Sequence, residues 1–181
     1  MWLDAEGDRF SFEKTVKIRG NEPYVPPVGW LRYGIRVKSV YPDINKWLTK
    51  DGNPMEWAVC YHGFKSNPLR SNLYFKLFDK NGKLNPYLEA SKNLKFANVV
   101  DVNPKSLRFN TECGLGVFCS KSPENAEEKT AIFTLNNVRY KMLLQCRVNP
   151  ERIRIPKIDT SLYIINNSHN IRPYGILIKE I

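Results

Sequence analysis

The chain has 181 residues, of which 42% are hydrophobic and 12% aromatic, and it carries a net charge of +10 at pH 7. This length and apolar content predict a single domain, residues 1–181, with a substantial core, and they exclude a disordered chain. The chain lacks a continuous apolar run of about 18 residues and its N-terminal stretch is acidic, so we expect no membrane span, no secretory signal and an intracellular protein, cytoplasmic or nuclear.

The first half of the sequence predicts an extended lead-in followed by two strands. Residues 1–28 form an N-terminal arm that ends in three prolines between Pro23 and Pro27, and proline excludes a helix or a central strand there. Apolar and basic residues then alternate from Leu31 to Lys38, which is typical of a half-buried strand. A short helix is predicted over 42–48, and a buried strand over 56–63.

Residues 65–113 are irregular, polar and rich in Asn and Lys, with a turn signal at Asn81-Gly82. A loop-rich stretch of this length is more often functional than idle. Order returns with a short strand at 117–119. A helix over about 123–133 is predicted, because Ser122 is a good N-cap and Pro123 favours the first helical position. Strands follow at 138–148, 162–167 and 173–181. This order predicts an α+β fold with a largely antiparallel sheet and a few short helices.

Composition also limits the chemistry. The cysteines, Cys60, Cys113, Cys119 and Cys146, form no C-x-x-C pair, so we interpret them as free thiols in a reducing compartment and expect no metal site. The basic residues are dispersed, and an excess of this size attracts polyanions. An acidic protein partner, a nucleic acid or a phosphate-bearing ligand all fit the charge, as does a solvated surface without a dedicated partner. Oligomeric state is not indicated.

Three segments carry a further signal. His62 and Gly63 end the buried strand, and a glycine there allows a ligand to approach the backbone. The second segment, 116–119, reads Gly-Val-Phe-Cys and leads into the start of the predicted helix. The third is the pair of late strands, "LYIINN" and "PYGILI". In this order the segments resemble the poly-ADP-ribose-polymerase-like ADP-ribosyltransferases, whose strands read His-Gly-Thr, Gly-Ile-Tyr-Phe and Glu-Tyr-Ile-Val-Tyr-Asp. The resemblance covers residues 57–181.

The resemblance implies a split antiparallel sheet that binds NAD as donor substrate, with the 65–113 insert over the cleft. His62 would donate a hydrogen bond to a ribose, Gly63 would hold the nicotinamide amide, and Phe118 would stack on the nicotinamide ring. The cleft would also include Phe64, Gly116, Cys119 and Lys129. The chemistry of the family breaks the nicotinamide–ribose bond through an oxocarbenium-like state, which a glutamate steadies.

The sequence departs from this family at several positions. Phe64 replaces the threonine, Phe118 the first tyrosine, and Leu162 the glutamate. On the helix, Ala126 stands at the serine position and Lys129 at the second tyrosine. The catalytic positions are therefore His62, Phe118 and Leu162, and we expect at most transfer of single ADP-ribose units to a macromolecular acceptor.

Two alternatives belong to other classes. One is an inactive transferase fold, a pseudoenzyme, that serves as a basic protein- or nucleic-acid-binding module. The other is an unrelated α+β scaffold. A thiol protease is disfavoured, because Cys60 and His62 lie on one strand and the sequence indicates no third group to orient the histidine.

Overall fold

The computed structural model describes residues 16–35, 37, 41–64 and 116–181. They form nine strands: β1 (Lys17–Arg19), β2 (Glu22–Tyr24), β3 (Leu31–Gly34), β4 (Ala58–Gly63), β5 (Val117–Ser120), β6 (Ile132–Leu135), β7 (Val138–Val148), β8 (Leu162–Ile165) and β9 (Ile171–Glu180). The helices are α1 (Ile44–Trp47) and α2 (Pro123–Glu128), with 3₁₀ turns at Pro150–Arg152 and Ser168–Asn170.

Seven of these strands form one sheet in the order β3-β9-β7-β4-β5-β8, with β6 added to β7. Every pairing is antiparallel. The long strand β7 organises the sheet. One of its edges pairs with β9, and the other pairs first with β6 and then with β4. β4 and β6 are thus successive neighbours of β7, and the chain segment that contains α2 joins β5 to β6.

Two tight hairpins depend on residues that tolerate the left-handed region. Gly20 and Asn21 have φ of 58° and 62° between β1 and β2, and Asn136 and Asn137 have φ of 49° and 65° between β6 and β7. Positive φ at both central residues is the requirement of the type I′ turn, which matches the twist of the flanking strands. At Gly20 a side chain is also excluded sterically, because an ideal Cβ would lie 2.4 Å from the backbone nitrogen of Ala58.

The sheet buries apolar side chains on both faces. One face carries the larger core, which includes the three described cysteines, Phe64 and Tyr163. The other face packs Val59 and Tyr61 against Ala126 of α2 and against Trp30. α2 begins as predicted: Ser122 caps it by accepting a hydrogen bond from the backbone N–H of Asn125, and Pro123 occupies its first turn.

The α+β class and the largely antiparallel sheet are confirmed, and β7 has the predicted bounds. The predicted helix over 123–133 is wrong in its second half. α2 ends at Glu128, and Ile132 and Phe133 lie in β6, because that segment pairs with β7. The Asn81-Gly82 turn, the 65–113 insert and Cys113 lie outside the described residues, as does the arm before residue 16.

Candidate functional site

The first two segments and the first strand of the third lie on the adjacent strands β4, β5 and β8, whereas the second late strand, β9, lies on the far side of β7. His62 is the penultimate residue of β4, Phe118 lies in β5, and Leu162 begins β8. β5 is the strand between the other two. Ser120 is paired with both Tyr61 and Leu162, so these three side chains lie on one face. Phe118 is two residues from Ser120 and shares that face. His62 follows Tyr61 on β4, so its side chain lies on the opposite face, beside Cys119. We call the part of the sheet around His62, Phe118 and Leu162, together with α2, the candidate site.

β4 and β5 separate beside His62. In the described part of the chain, their ladder contains the single pair Tyr61–Ser120. One residue further along β4, the contact with β5 is made by a side chain instead of the backbone. The His62 Nδ1 atom lies 2.9 Å from the backbone carbonyl oxygen of Phe118. The imidazole therefore takes the place of a backbone donor at the point where the two strands part.

This contact determines which ring nitrogen carries the proton. A carbonyl oxygen only accepts, so Nδ1 of His62 must be the donor to Phe118. In the neutral ring Nε2 then carries the lone pair. The donor role expected from the sequence needs the imidazolium form. Phe118 thus contributes its backbone as well as its ring to the candidate site.

Gly63 is packed against α2. A Cβ at this position would lie 2.8 Å from the carbonyl oxygen of Ala126 and 3.0 Å from Cβ of Thr130, so only glycine fits. Ala126 itself is 1% exposed. The glycine that the sequence associates with close approach of a ligand is therefore required for close approach of the helix.

Thr130 joins the end of β4 to the segment after α2. Its hydroxyl accepts a hydrogen bond from the Phe64 N–H at 2.9 Å and donates to the Met142 carbonyl oxygen at 3.1 Å. The neighbouring Ala131 N–H donates to the Phe64 carbonyl oxygen at 2.6 Å. These bonds hold together the point along β7 at which its paired neighbour changes from β4 to β6. The sequence offers no signal for this role, since an isolated threonine after a helix has no distinctive pattern.

Two of the expected cofactor positions are buried in the protein. Phe64 is 7% exposed, and both of its backbone polar groups are bonded to residues 130 and 131. Cys119 is 1% exposed and lies on the face opposite Phe118, beside His62 and Cys60. Neither side chain faces solvent, so direct contact of either with a bound nucleotide would require the site to open.

The remaining expected positions are more accessible. Gly116 and Leu162 are partly exposed, and a Cβ on Gly116 would lie 2.6 Å from Ile164, so the glycine allows β5 and β8 to pack closely. Lys129 follows α2 and its ammonium lies 3.6 Å from the Asp159 carboxylate. Asp159 in turn accepts from the Ser161 hydroxyl, and that bond, with the cation, lowers the pKa of the carboxyl.

A polar cluster lies on β8 directly after Leu162. The buried Tyr163 donates its hydroxyl to Glu22 of β2 at 2.7 Å, and the Lys121 ammonium lies 5.0 Å from the centre of its ring. Burial, with the Glu22 carboxylate, raises the pKa of Tyr163, so the phenol stays protonated. The N-terminal arm thus places the Glu22 carboxylate next to β8 of the candidate site. The sequence did not indicate this contact.

Three free, buried thiols lie on adjacent strands: Cys119 on β5, Cys60 on β4 and Cys146 on β7. Burial raises the pKa of each, so they are protonated at neutral pH and poorly nucleophilic. Among the described residues, no group of three His, Cys, Asp or Glu side chains is arranged to hold a metal ion.

No known protein family, curated protein or solved structure gives a significant match to this chain. In the described part of the chain, none of the helices is long and apolar enough to cross a membrane.

Proposed function

We propose that this protein is an ADP-ribosyltransferase-like domain that binds NAD between β4 and β5 and transfers at most single ADP-ribose units to a macromolecular acceptor. One observation carries the proposal. Two of the segments that carry the resemblance, with His62 and Phe118 56 residues apart in the sequence, meet through the 2.9 Å contact between the His62 imidazole and the Phe118 carbonyl oxygen. The first strand of the third segment, β8, pairs with the strand of Phe118, whereas its second strand, β9, pairs with β7.

The residues around this contact have separate roles in the proposed site. The His62 imidazole, oriented through Nδ1 by the Phe118 carbonyl oxygen, would contact a ribose hydroxyl. Phe118 keeps an aromatic face for stacking on nicotinamide, without a hydroxyl. α2 packs on the side of the sheet that Gly63 faces. Gly63 is two residues from Tyr61, so this is also the face of Phe118. Leu162 cannot stabilise an oxocarbenium-like charge, because its side chain has no polar group, and this limits the proposed chemistry to slow, single transfer.

The same leucine favours a second candidate, an inactive transferase fold that binds acidic proteins or nucleic acid. Burial of Phe64 and the engagement of its backbone by Thr130 point the same way, since they leave fewer groups for a nucleotide. The net charge of +10 would supply the attraction to polyanions.

Thermal denaturation with millimolar NAD tests the proposal, because a ligand that binds the folded state raises the melting temperature. The informative variant is His62→Asn. The Asn amide N–H can still donate to the Phe118 carbonyl, but nothing replaces Nε2. The matched control is His169→Asn, at the chain's other histidine, which is exposed.

We expect NAD to raise the melting temperature of the wild-type protein and of the His169 variant, but not of the His62 variant. Nicotinamide release in the same samples would then report turnover. If NAD leaves the wild-type melting temperature unchanged, the NAD proposal is wrong. Salt-dependent binding to an acidic peptide and to a DNA duplex would then test the second candidate.

A further inference from the structure

Three buried side-chain N–H groups have no hydrogen-bond partner among the described residues. They are Nε1 of Trp47 and the Nε atoms of Arg147 and Arg172. Trp47 is 1% exposed and Arg147 is 2% exposed. Buried donors in native proteins are almost always paired with protein, water or an ion, so three exceptions need an explanation.

All three donors belong to one cluster near the start of β4. The Arg172 guanidinium lies 5.1 Å from the centre of the Trp47 ring and 4.4 Å from that of Trp57. Arg147 on β7 is the direct cross-strand partner of Arg172 on β9. Its guanidinium also donates to the carbonyl of Thr49, two residues after Trp47, at 2.8 Å. We call Trp47, Arg147 and Arg172 the donor cluster.

The cluster has an excess of positive charge. Arg147 pairs with Glu56 at 3.1 Å, and Arg19 shares the same carboxylate at 3.4 Å. Arg172 pairs with Asp43 at 2.9 Å. Among these side chains three cations therefore face two anions. Two like charges directly opposite each other on neighbouring strands repel, and the repulsion is stronger where water is excluded.

We propose that the donor cluster binds one small anion of the halide class, such as chloride, held by Trp47 Nε1 and Arg172 Nε with Arg147 alongside. An anion only accepts hydrogen bonds, so it can pair with more than one unpartnered donor at once. It would also balance the third cation. A water molecule would bring two further donors, and these would need acceptors of their own. The enclosure of Trp47 and Arg147 favours a monatomic ion over a phosphate ester.

The proposed anion site is separate from the candidate NAD site. Arg147 pairs with Val59, whereas His62 lies three residues further along β4, which is about 10 Å of extended chain. The two proposals therefore fail or succeed independently.

Melting temperatures in chloride and in gluconate at fixed ionic strength test the site in solution, since gluconate is too large to enter. If chloride is in 100-fold excess over its Kd, we expect the melting temperature to rise by about 5–10 °C. Trp47→Phe keeps an aromatic ring and removes the donor, so the rise should disappear. Trp57→Phe is the control in the same aromatic group, and it should retain the rise.

Crystals of the wild-type protein grown in bromide give a second readout that needs no variant. Anomalous scattering should place bromide within hydrogen-bond distance of Trp47 Nε1. Ordered water at that position without bromide, or a melting temperature that does not respond to chloride, would overturn the proposal. Stabilisation by phosphate but not by chloride would overturn the halide assignment as well.

Discussion

The guanidinium of Arg147 and the carboxylate of Glu56 form a buried ion pair, 3.1 Å apart, between side chains that are 2% and 1% exposed. Glu56 also accepts from the Gly52 N–H at 3.2 Å. Removing one member of such a pair leaves the other charge buried without compensation. We therefore expect Glu56→Gln to lower the free energy of unfolding by about 3–5 kcal/mol, measured by urea denaturation.

Glu127→Gln is the matched control for this prediction. Glu127 pairs with Lys179 at 2.9 Å, but both side chains are partly exposed to water. Its loss should cost less than about 1 kcal/mol. Equal effects of the two variants would contradict a buried, desolvated pair at Glu56.

Replacement of Gly63 tests the packing of α2 on β4. A Cβ on residue 63 would meet the Ala126 carbonyl oxygen at 2.8 Å, so the helix must move in Gly63→Ala. We expect a loss of about 1–3 kcal/mol in the free energy of unfolding. Gly34→Ala on β3 meets no atom within 4 Å and should change stability by less than about 1 kcal/mol. A Gly63 variant as stable as the Gly34 variant would show that α2 lies elsewhere.

Removal of the Thr130 hydroxyl tests the junction between β4 and β6. Thr130→Val leaves the Phe64 N–H and the Met142 carbonyl oxygen without this partner in a buried position. The expected cost is about 1–3 kcal/mol, together with faster hydrogen exchange of the Phe64 amide. Thr130→Ser keeps the hydroxyl and should retain the slow exchange. Slow exchange in Thr130→Val would mean that the hydroxyl does not hold the end of β4.

The positions of several strands along the sequence could be predicted because local patterns suffice for them, whereas the order of the strands in the sheet depends on pairings between distant segments. β7 was predicted to the residue, since its apolar run is bounded by the Asn136-Asn137 turn on one side and by Asn149-Pro150 on the other. The cap of α2 was predicted for the same reason. Its end was not, because Ile132 and Phe133 fit either a helix or a strand until β7 is present to pair with them.

The candidate site, too, could be predicted only where local patterns suffice. The sequence identified His62, but its partner is a backbone carbonyl, and a carbonyl has no sequence signature. The roles of Thr130 and Glu22 depend on contacts between segments far apart in the chain. Gly63 was recognised as a position of close approach, but only the fold identifies α2 as the group that approaches.

Alkaline pH provides a test of the buried acidic groups of the sheet. Burial raises the pKa of the thiols Cys60, Cys119 and Cys146 above their ordinary value of 9.0. It likewise raises the pKa of the phenols Tyr61 and Tyr163 above 10.0. These groups stay protonated in the folded protein at a pH where the unfolded chain has lost the protons. The unfolded state then binds fewer protons, so the free energy of unfolding falls as pH rises.

Stability should therefore be complete below about pH 9 and decline from there, with each such group adding a slope of about 1.4 kcal/mol per pH unit once its unfolded form is ionised. Urea midpoints from pH 7 to 11 measure this decline, and absorbance at the tyrosinate band reports whether the phenols ionise before the chain unfolds. Tyr163→Phe removes one of these groups. Above pH 10, the stability of this variant should therefore fall less steeply with pH, by the contribution of one proton, about 1.4 kcal/mol per pH unit. Ionisation of the buried tyrosines in the intact fold, without loss of stability, would contradict the enclosed core.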